Sequence, residues 1–253
     1  MSYNYDTHSS SSLVSTQHIK KKLKTGIDQH SILAIESECG LLIHKKPKIQ
    51  TIISSNDRYE QIFELYSNDH KEICLDGILR FCQDIAIQPD SYEILLFCFL
   101  CQAQQMYSLT RKEFLHGLKA LGIHIDHPHD LRKALIDYQI LSNEKNFYSW
   151  TYQFGLIDGQ RSLTTRNALS LWRIFFTKRK NELIVLNNWL NYLENIINSE
   201  VPQRINIDAW EMFPDFAEFI QLNGYESYDA TQAWPSLFDQ FVEYQKKIKM
   251  FTF

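Results

Sequence analysis

The sequence is poor in glycine and proline and contains no long apolar run. Its 253 residues include eight glycines and six prolines, too few to punctuate many strands and turns. The most apolar run, residues 94–101, is much shorter than the roughly 20 residues that cross a bilayer, so it indicates a buried helix. The first six residues have neither the basic flank nor the apolar core of a signal peptide, and Ser2 stands where myristoylation needs glycine. We therefore expect neither secretion nor lipid anchoring.

Strong charge and a regular cysteine framework are also missing. The formal net charge is −4 at pH 7, which gives no general attraction to nucleic acid or to an anionic membrane. The five cysteines, at positions 39, 74, 82, 98 and 101, form an odd set without disulfide spacing. We expect an intracellular protein in a reducing compartment, with no nucleic-acid or membrane partner.

The sequence contains no motif for conventional catalysis or for metal binding. There is no glycine-rich phosphate loop, hydrolase elbow or kinase signature. Neither residues 68–72 nor residues 126–137 supply the oxygen ligands and central glycine of a calcium loop. Cys98 and Cys101 lie among apolar neighbours, so we assign them to the core. The prediction is therefore no catalytic residue, no metal and no cofactor.

From Asp57 onward the sequence has helical periodicity almost without interruption. A hydrophobic fraction of 44% is enough to bury a large core. Start signals, among them a capping box of Thr110 and Glu113, predict about ten helices in an all-α domain. The first four fall in two EF-hand-like pairs in the N-terminal half. The predicted helices cover residues 57–66, 76–85, 90–105, 110–122, 128–140, 143–154, 164–176, 182–197, 208–222 and 234–249.

Residues 1–55 differ in character from the rest. They contain a serine run at 9–12 and lysine clusters at 20–24 and 45–48, which indicates a flexible arm. A helical domain is expected to follow over residues 56–249. The lysine clusters are interpreted first as solvated and next as a nuclear localisation signal, so we expect the protein in the nucleus and the cytoplasm.

The C-terminal part carries an acidic patch. Residues 205–245 contain eight Asp or Glu side chains and no Lys or Arg. Aromatic residues are interleaved with these carboxylates, as in Asp208-Ala209-Trp210 and Ala233-Trp234-Pro235. Carboxylates beside apolar surface form charge-assisted hydrogen bonds with Lys or Arg. This stretch is therefore suited to a basic partner.

Several separated motifs resemble the defective-in-cullin-neddylation family. In chain order they are Asp76-Gly77, FCQDI at 81–85, FLHGL at 114–118, DGQRSL at 158–163, AWP at 233–235 and FDQFVE at 238–243. They match landmarks of that family's potentiating-neddylation (PONY) domain, in the same order, across about residues 57–247. Residues 103–106 and 160–163 most resemble the branch that has no ubiquitin-associated domain.

The resemblance implies a non-catalytic scaffold co-ligase that promotes cullin neddylation. Family members hold a cullin's C-terminal winged-helix subdomain next to the conjugating enzyme that is charged with the ubiquitin-like neddylation modifier. The RING subunit of the cullin-RING ligase is then an indirect partner, and we expect a monomer. The family's cullin-binding Asp-Ala-Asp triad corresponds to Asp208, Ala233 and Asp239. The loop at 227–232 has two acidic residues fewer than is common in the family, which predicts altered affinity or cullin choice.

The second surface that the resemblance implies is a pocket for the acetylated N-terminal Met of the conjugating enzyme. Its apolar lining corresponds to Ile94, Leu95, Phe99, Leu109, Phe154, Leu171 and Ile174. A free ammonium group would cost several kcal/mol to bury, whereas burying the Met side chain gains roughly 1.5–3 kcal/mol. Phe99 stands where the family usually has Trp, and Tyr107 stands where the family usually has a smaller residue. The pocket is therefore expected to differ in shape.

Two interpretations from other classes remain open from the sequence. One is an EF-hand-like helical calcium sensor or a generic protein-interaction module, although the calcium ligands are missing. The other is a thioester-forming ligase that uses Cys82, which has the charged residues Arg80 and Asp84 two positions away on either side. The helical position of Cys82 between Phe81 and Ile85 favours packing over catalysis.

Overall fold

The computed structural model describes residues 55–122, 125, 127–140, 143–179, 184–197 and 204–251. The predicted arm, with its lysine clusters at 20–24 and 45–48, lies outside the described residues except for Ser55. The described part of the chain contains ten α-helices, four short strands and two 3-10 helices of three residues each. None of these helices is long and apolar enough to cross a membrane.

The N-terminal half consists of two helix–strand–helix units. The elements are α1 (Ser55–Tyr66), β1 (Glu72–Cys74), α2 (Leu75–Asp84), α3 (Tyr92–Cys101), β2 (Ser108–Thr110) and α4 (Arg111–Leu121). Strands β1 and β2 pair antiparallel, with Ile73 opposite Leu109. This pairing joins the two units side by side, so the predicted EF-hand-like helix pairs are present.

The C-terminal half repeats the helix–strand–helix arrangement after one intervening helix. The elements are α5 (Pro128–Asp137), α6 (Glu144–Phe154), β3 (Leu163–Thr164), α7 (Thr165–Phe175), α8 (Ile184–Ile197), β4 (Arg204–Ile205), α9 (Ile207–Asn223) and α10 (Ser236–Phe251). Strands β3 and β4 pair antiparallel, with Leu163 opposite Ile205. The predicted all-α fold class is confirmed. The four strands, each of two or three residues, were not predicted.

Local signals explain where α4 begins and where α3 ends. The predicted capping box is confirmed: the Glu113 backbone N–H donates to Thr110 Oγ1 at 3.3 Å, and the Thr110 N–H donates to Glu113 Oε2 at 2.7 Å. Helix α3 ends at Cys101 and not near Gln105 as predicted. The reason is Gln102, whose φ of 56° is left-handed and stops the helix.

A continuous apolar core is rich in aromatic side chains. In the N-terminal half, Phe81 stacks on Phe97 at 5.3 Å, and Phe114 meets both rings edge-on. In the C-terminal half, Trp172, Trp189 and Trp210 are fully buried. Aromatic rings bury large areas and add specific edge-to-face or stacked contacts. This core fixes the helices that carry the candidate sites.

Gly77 allows a close approach between α1 and α2. A Cβ at this position would lie 2.1 Å from the Tyr66 carbonyl oxygen and 2.7 Å from Ile73 Cγ2. Because the carbonyl belongs to the backbone, we expect Gly77→Ala to lower the free energy of unfolding by about 1–3 kcal/mol through overpacking. Urea denaturation measures this change.

Gly122 supplies the control for the substitution at Gly77. Its φ is +63°, and among the described residues no other atom would lie within 4 Å of a Cβ added there. Gly122→Ala therefore carries only the cost of a left-handed alanine, roughly 1 kcal/mol. A Gly77→Ala protein as stable as the unsubstituted protein would contradict the close packing of α1 against α2.

Candidate binding surfaces

Asp208 lies exposed in the first turn of α9. The prediction that Asp208 opens this helix needs correction, because the cap is Asn206, whose Oδ1 accepts from the Ala209 N–H at 2.8 Å. Asp208 is favourably placed near the positive end of the helix dipole. Within the described part of the chain, its carboxylate makes no hydrogen bond or ion pair, so it faces solvent.

Ala233 lies exposed in the loop that precedes α10. The next residue, Trp234, is half-buried and packs its ring edge-on against Phe216, at 5.8 Å between centroids. Trp234 also contacts Phe219 at 6.1 Å. The two phenylalanines belong to α9, so Trp234 anchors the Ala233 loop to the middle of that helix.

Asp239 lies half-exposed in the first turn of α10. The Tyr228 hydroxyl donates a hydrogen bond of 2.7 Å to Asp239 Oδ1. The neighbouring Phe238 is fully buried and stacks on Phe216 at 4.2 Å. Ala233 and Asp239 are thus brought to the same part of α9. Asp208 lies farther along it, since the helical rise of about 1.5 Å per residue separates Asp208 from Phe216 by roughly 12 Å.

More exposed carboxylates lie on α9 between these positions. Asp215 and Glu218 are exposed. Asp215 shares a helix face with Asp208, because seven residues make nearly two full turns, and Glu218 lies one turn beyond Asp215. Glu211 is partly buried and accepts a hydrogen bond of 2.9 Å from Ser149. Asp229 accepts from Thr231 N and Oγ1, and these bonds lower the pKa of Asp229. The surface of α9 and of the turn that follows it therefore carries a row of carboxylates suited to cationic side chains.

The seven residues predicted to line the apolar pocket come from α3, β2, α6 and α7. Ile94, Leu95, Leu109, Phe154 and Leu171 are buried, whereas Phe99 and Ile174 are half-buried. Ile94 and Leu109 line a cavity of about 10 Å³ between α2, α3, α4 and the first strand pair. The other lining residues of this cavity are Ile73, Ile78, Phe81, Phe97, Cys98 and Phe114.

A second group of the predicted residues is connected through Trp150, a residue that the sequence reasoning missed. Phe99 contacts Trp150 at 5.4 Å, and Trp150 stacks on Phe154 at 4.4 Å. Leu171 lies against Gly155, where an added Cβ would be 2.3 Å from Leu171 Cδ1. Trp150 itself is half-buried. Phe99, Trp150 and Ile174 are therefore the half-buried members of this apolar site, whereas its other predicted residues are buried.

The buried thiols are poor nucleophiles. Cys82 is 1% exposed, and burial raises the pKa of its thiol to about 12. Burial also raises the pKa of Cys98 to about 12. A thiol with such a pKa is protonated at neutral pH, and the thiolate is the reactive form. These observations argue against a thioester on Cys82.

In the segment before β1, where a calcium loop would lie, the Asp69 side chain accepts hydrogen bonds from the backbone of the same segment. Asp69 Oδ1 accepts from the Lys71 N–H at 3.1 Å and from the Glu72 N–H at 3.4 Å. Across the residues that the structure describes, no group of three or more His, Cys, Asp or Glu side chains could hold a metal ion.

Comparison with known proteins identifies the family. A family model described as cullin binding matches residues 126–244, a range that includes Asp208, Ala233 and Asp239. DCN1-like protein 3 of Bos taurus is 36% identical over 210 residues, which is 79% of this chain and 66% of the relative. The corresponding protein of Drosophila melanogaster is 33% identical over 226 residues, or 82% of this chain and 64% of the relative. DCN1-like protein 3 of Homo sapiens is 37% identical over 201 residues, or 76% and 63%. The chain thus spans slightly less than two thirds of the length of these curated relatives. It belongs to the family of DCN1-like, cullin-binding proteins.

Proposed function

We propose that this protein is a non-catalytic scaffold co-ligase that promotes cullin neddylation. It binds a cullin's C-terminal winged-helix subdomain through Asp208, Ala233 and Asp239, and it binds the acetylated N-terminal Met of the neddylation conjugating enzyme at the apolar site. The observation that carries this proposal is the row of exposed carboxylates on α9 and α10 within the region matched by the cullin-binding family. Holding two reactants in one frame lowers the entropic part of the barrier to transfer.

On the cullin side, each member of the triad has a separate physical task. Asp208 offers both carboxylate oxygens to a Lys or Arg of the partner, because Asn206 caps the helix. Asp239 offers the oxygen that Tyr228 does not occupy. Ala233 has no side chain beyond Cβ, which permits close approach of the partner's backbone. Charge-assisted hydrogen bonds at both ends of the surface then fix the orientation of the cullin.

On the conjugating-enzyme side, the apolar site has to open. A cavity of about 10 Å³ has room for roughly one water molecule, which is far less than a Met side chain needs. Phe99 and Trp150 belong to the second group of residues, outside this cavity, and are half-buried, so they present apolar surface to an entering Met side chain. Burial of the Met side chain contributes roughly 1.5–3 kcal/mol, and acetylation removes the charge that would oppose it.

The remaining parts of the proposal concern organisation and location. Residues 56–249 form the potentiating-neddylation domain, which follows the arm at 1–55 with its lysine clusters, and the protein is present in the nucleus and the cytoplasm. The protein acts as a monomer and reaches the RING subunit only indirectly. It uses no cofactor, nucleic acid or membrane.

Calorimetric titration with a purified cullin winged-helix subdomain tests the proposed function. We expect saturable binding that weakens as salt is raised from about 0.1 to 1 M, because the Debye length falls from about 10 to 3 Å. Absence of binding at every salt concentration would overturn the proposal. Titration with calcium in the same instrument tests the alternative of a calcium sensor. A calcium sensor would release or absorb heat on binding calcium in the absence of any cullin.

A further inference from the structure

We infer that Tyr228 is a positioning residue for the carboxylate of Asp239. Tyr228 is 9% exposed, so it presents little surface to a partner and acts through Asp239. This inference rests on the proposed function, because it concerns the same cullin-binding surface. It extends that function by adding a residue outside the Asp208, Ala233 and Asp239 triad.

The contact between the two side chains occupies one of the two carboxylate oxygens of Asp239. The Tyr228 hydroxyl donates to Oδ1 at 2.7 Å, the short distance typical of a hydrogen bond to an ionised acceptor. Oδ2 remains for a cation of the partner. A carboxylate on the surface of a helix otherwise moves among several side-chain rotamers. The hydrogen bond therefore selects one orientation of the carboxylate before the partner arrives.

Tyr228 is itself held in place from several sides. Its ring meets Phe216 of α9 edge-on at 5.8 Å, and its backbone N–H donates to the Tyr225 carbonyl at 3.3 Å. The turn before it is tied to the end of α9, because the Ser227 hydroxyl donates to the Asn223 carbonyl at 2.8 Å. A donor fixed in this way can restrain Asp239, whereas a mobile donor could not.

The hydroxyl of Tyr228 also keeps its proton. Burial, followed by the hydrogen bond to Asp239 and the charge of that carboxylate, raises the pKa of Tyr228 above its usual value. The group therefore remains a donor through neutral and mildly alkaline pH, the range in which the binding experiments are done.

Tyr228→Phe removes the hydroxyl and keeps the ring. We expect this variant to bind the cullin winged-helix subdomain about three- to tenfold more weakly, which corresponds to the cost of ordering one side chain on binding. Tyr225→Phe is the matched control. Tyr225 is 8% exposed and lies in the same turn, but its hydroxyl accepts from Asn188 Nδ2 at 3.1 Å. The affinity of the Tyr225→Phe variant for the cullin subdomain is expected to stay within about twofold of that of the unsubstituted protein.

A double-mutant cycle with Asp239→Ala separates positioning from a structural effect. If Tyr228 acts through Asp239, Tyr228→Phe weakens binding in the unsubstituted protein and has no further effect once Asp239 is Ala. Equal weakening in both backgrounds would overturn the positioning role, and so would an unchanged affinity of Tyr228→Phe alongside a weakened Asp239→Ala. An unchanged affinity of Asp239→Ala would instead show that the proposed cullin surface is wrong.

Discussion

Asp239→Lys is expected to weaken binding of the cullin winged-helix subdomain by about 100-fold or more. Replacing the carboxylate by an ammonium group turns an attraction for a basic partner into a repulsion, and close charge pairs at interfaces couple by roughly 1.5–7 kcal/mol. A 100-fold loss corresponds to about 2.7 kcal/mol. Calorimetric titration and a pull-down with the purified subdomain measure the effect.

The fold should survive this substitution. Asp239 is half-exposed, and its hydrogen bond with Tyr228 contributes roughly 1–3 kcal/mol, less than the roughly 5–15 kcal/mol that stabilises a typical domain. Asp137→Lys makes the same charge change at an exposed residue at the end of α5 and is expected to bind normally. An Asp239→Lys protein that captures the cullin as well as the control does would show that this carboxylate is not part of the binding surface.

Trp210→Ala is expected to lower the free energy of unfolding by about 3–5 kcal/mol, the range for truncating a fully buried tryptophan. The Trp210 ring is stacked between Tyr148 at 4.9 Å and Trp172 at 4.8 Å. Its indole N–H donates to the Tyr148 carbonyl at 3.1 Å. The truncation therefore leaves a cavity and removes a buried hydrogen bond. Urea denaturation followed by circular dichroism measures the loss.

The same cluster connects the helices that carry both candidate surfaces. The Tyr148 hydroxyl donates to the Trp210 carbonyl and accepts from Trp172 Nε1, each at 2.8 Å. These residues belong to α6, α7 and α9, so their loss affects both proposed binding functions. Trp150→Ala, at a half-buried ring, serves as the comparison and is expected to cost less than half as much stability. Equal losses for Trp150 and Trp210 would contradict this role of the buried cluster.

The helices could be located from the sequence because their signals are local. Periodic apolar residues and caps such as Thr110 with Glu113 lie within one or two turns of each other. The strands could not be predicted in this way. Glu72 pairs with Thr110, and a strand of three residues leaves no periodic pattern. The early end of α3 depends on the left-handed conformation of Gln102, which glycine would have signalled and glutamine does not.

The candidate surfaces were partly accessible from the sequence for the same reason. The acidic run at 205–245 is visible in composition, and the resemblance supplied Asp208, Ala233 and Asp239. The support of Asp239 by Tyr228 was not accessible, because the two residues meet only through the turn between α9 and α10. The contact of Trp150 with Phe99 likewise depends on the packing of α6 against α3.

Single-turnover transfer of the neddylation modifier to a purified cullin domain tests most directly whether the protein brings two partners together. The conjugating enzyme is charged beforehand and supplied with either an acetylated or a free N-terminal Met. We expect the protein to accelerate transfer from the acetylated enzyme and to have much less effect on the free one. Asp239→Lys should remove the acceleration. A transfer rate that is the same with and without the protein, for every cullin supplied, would contradict the proposed scaffold function.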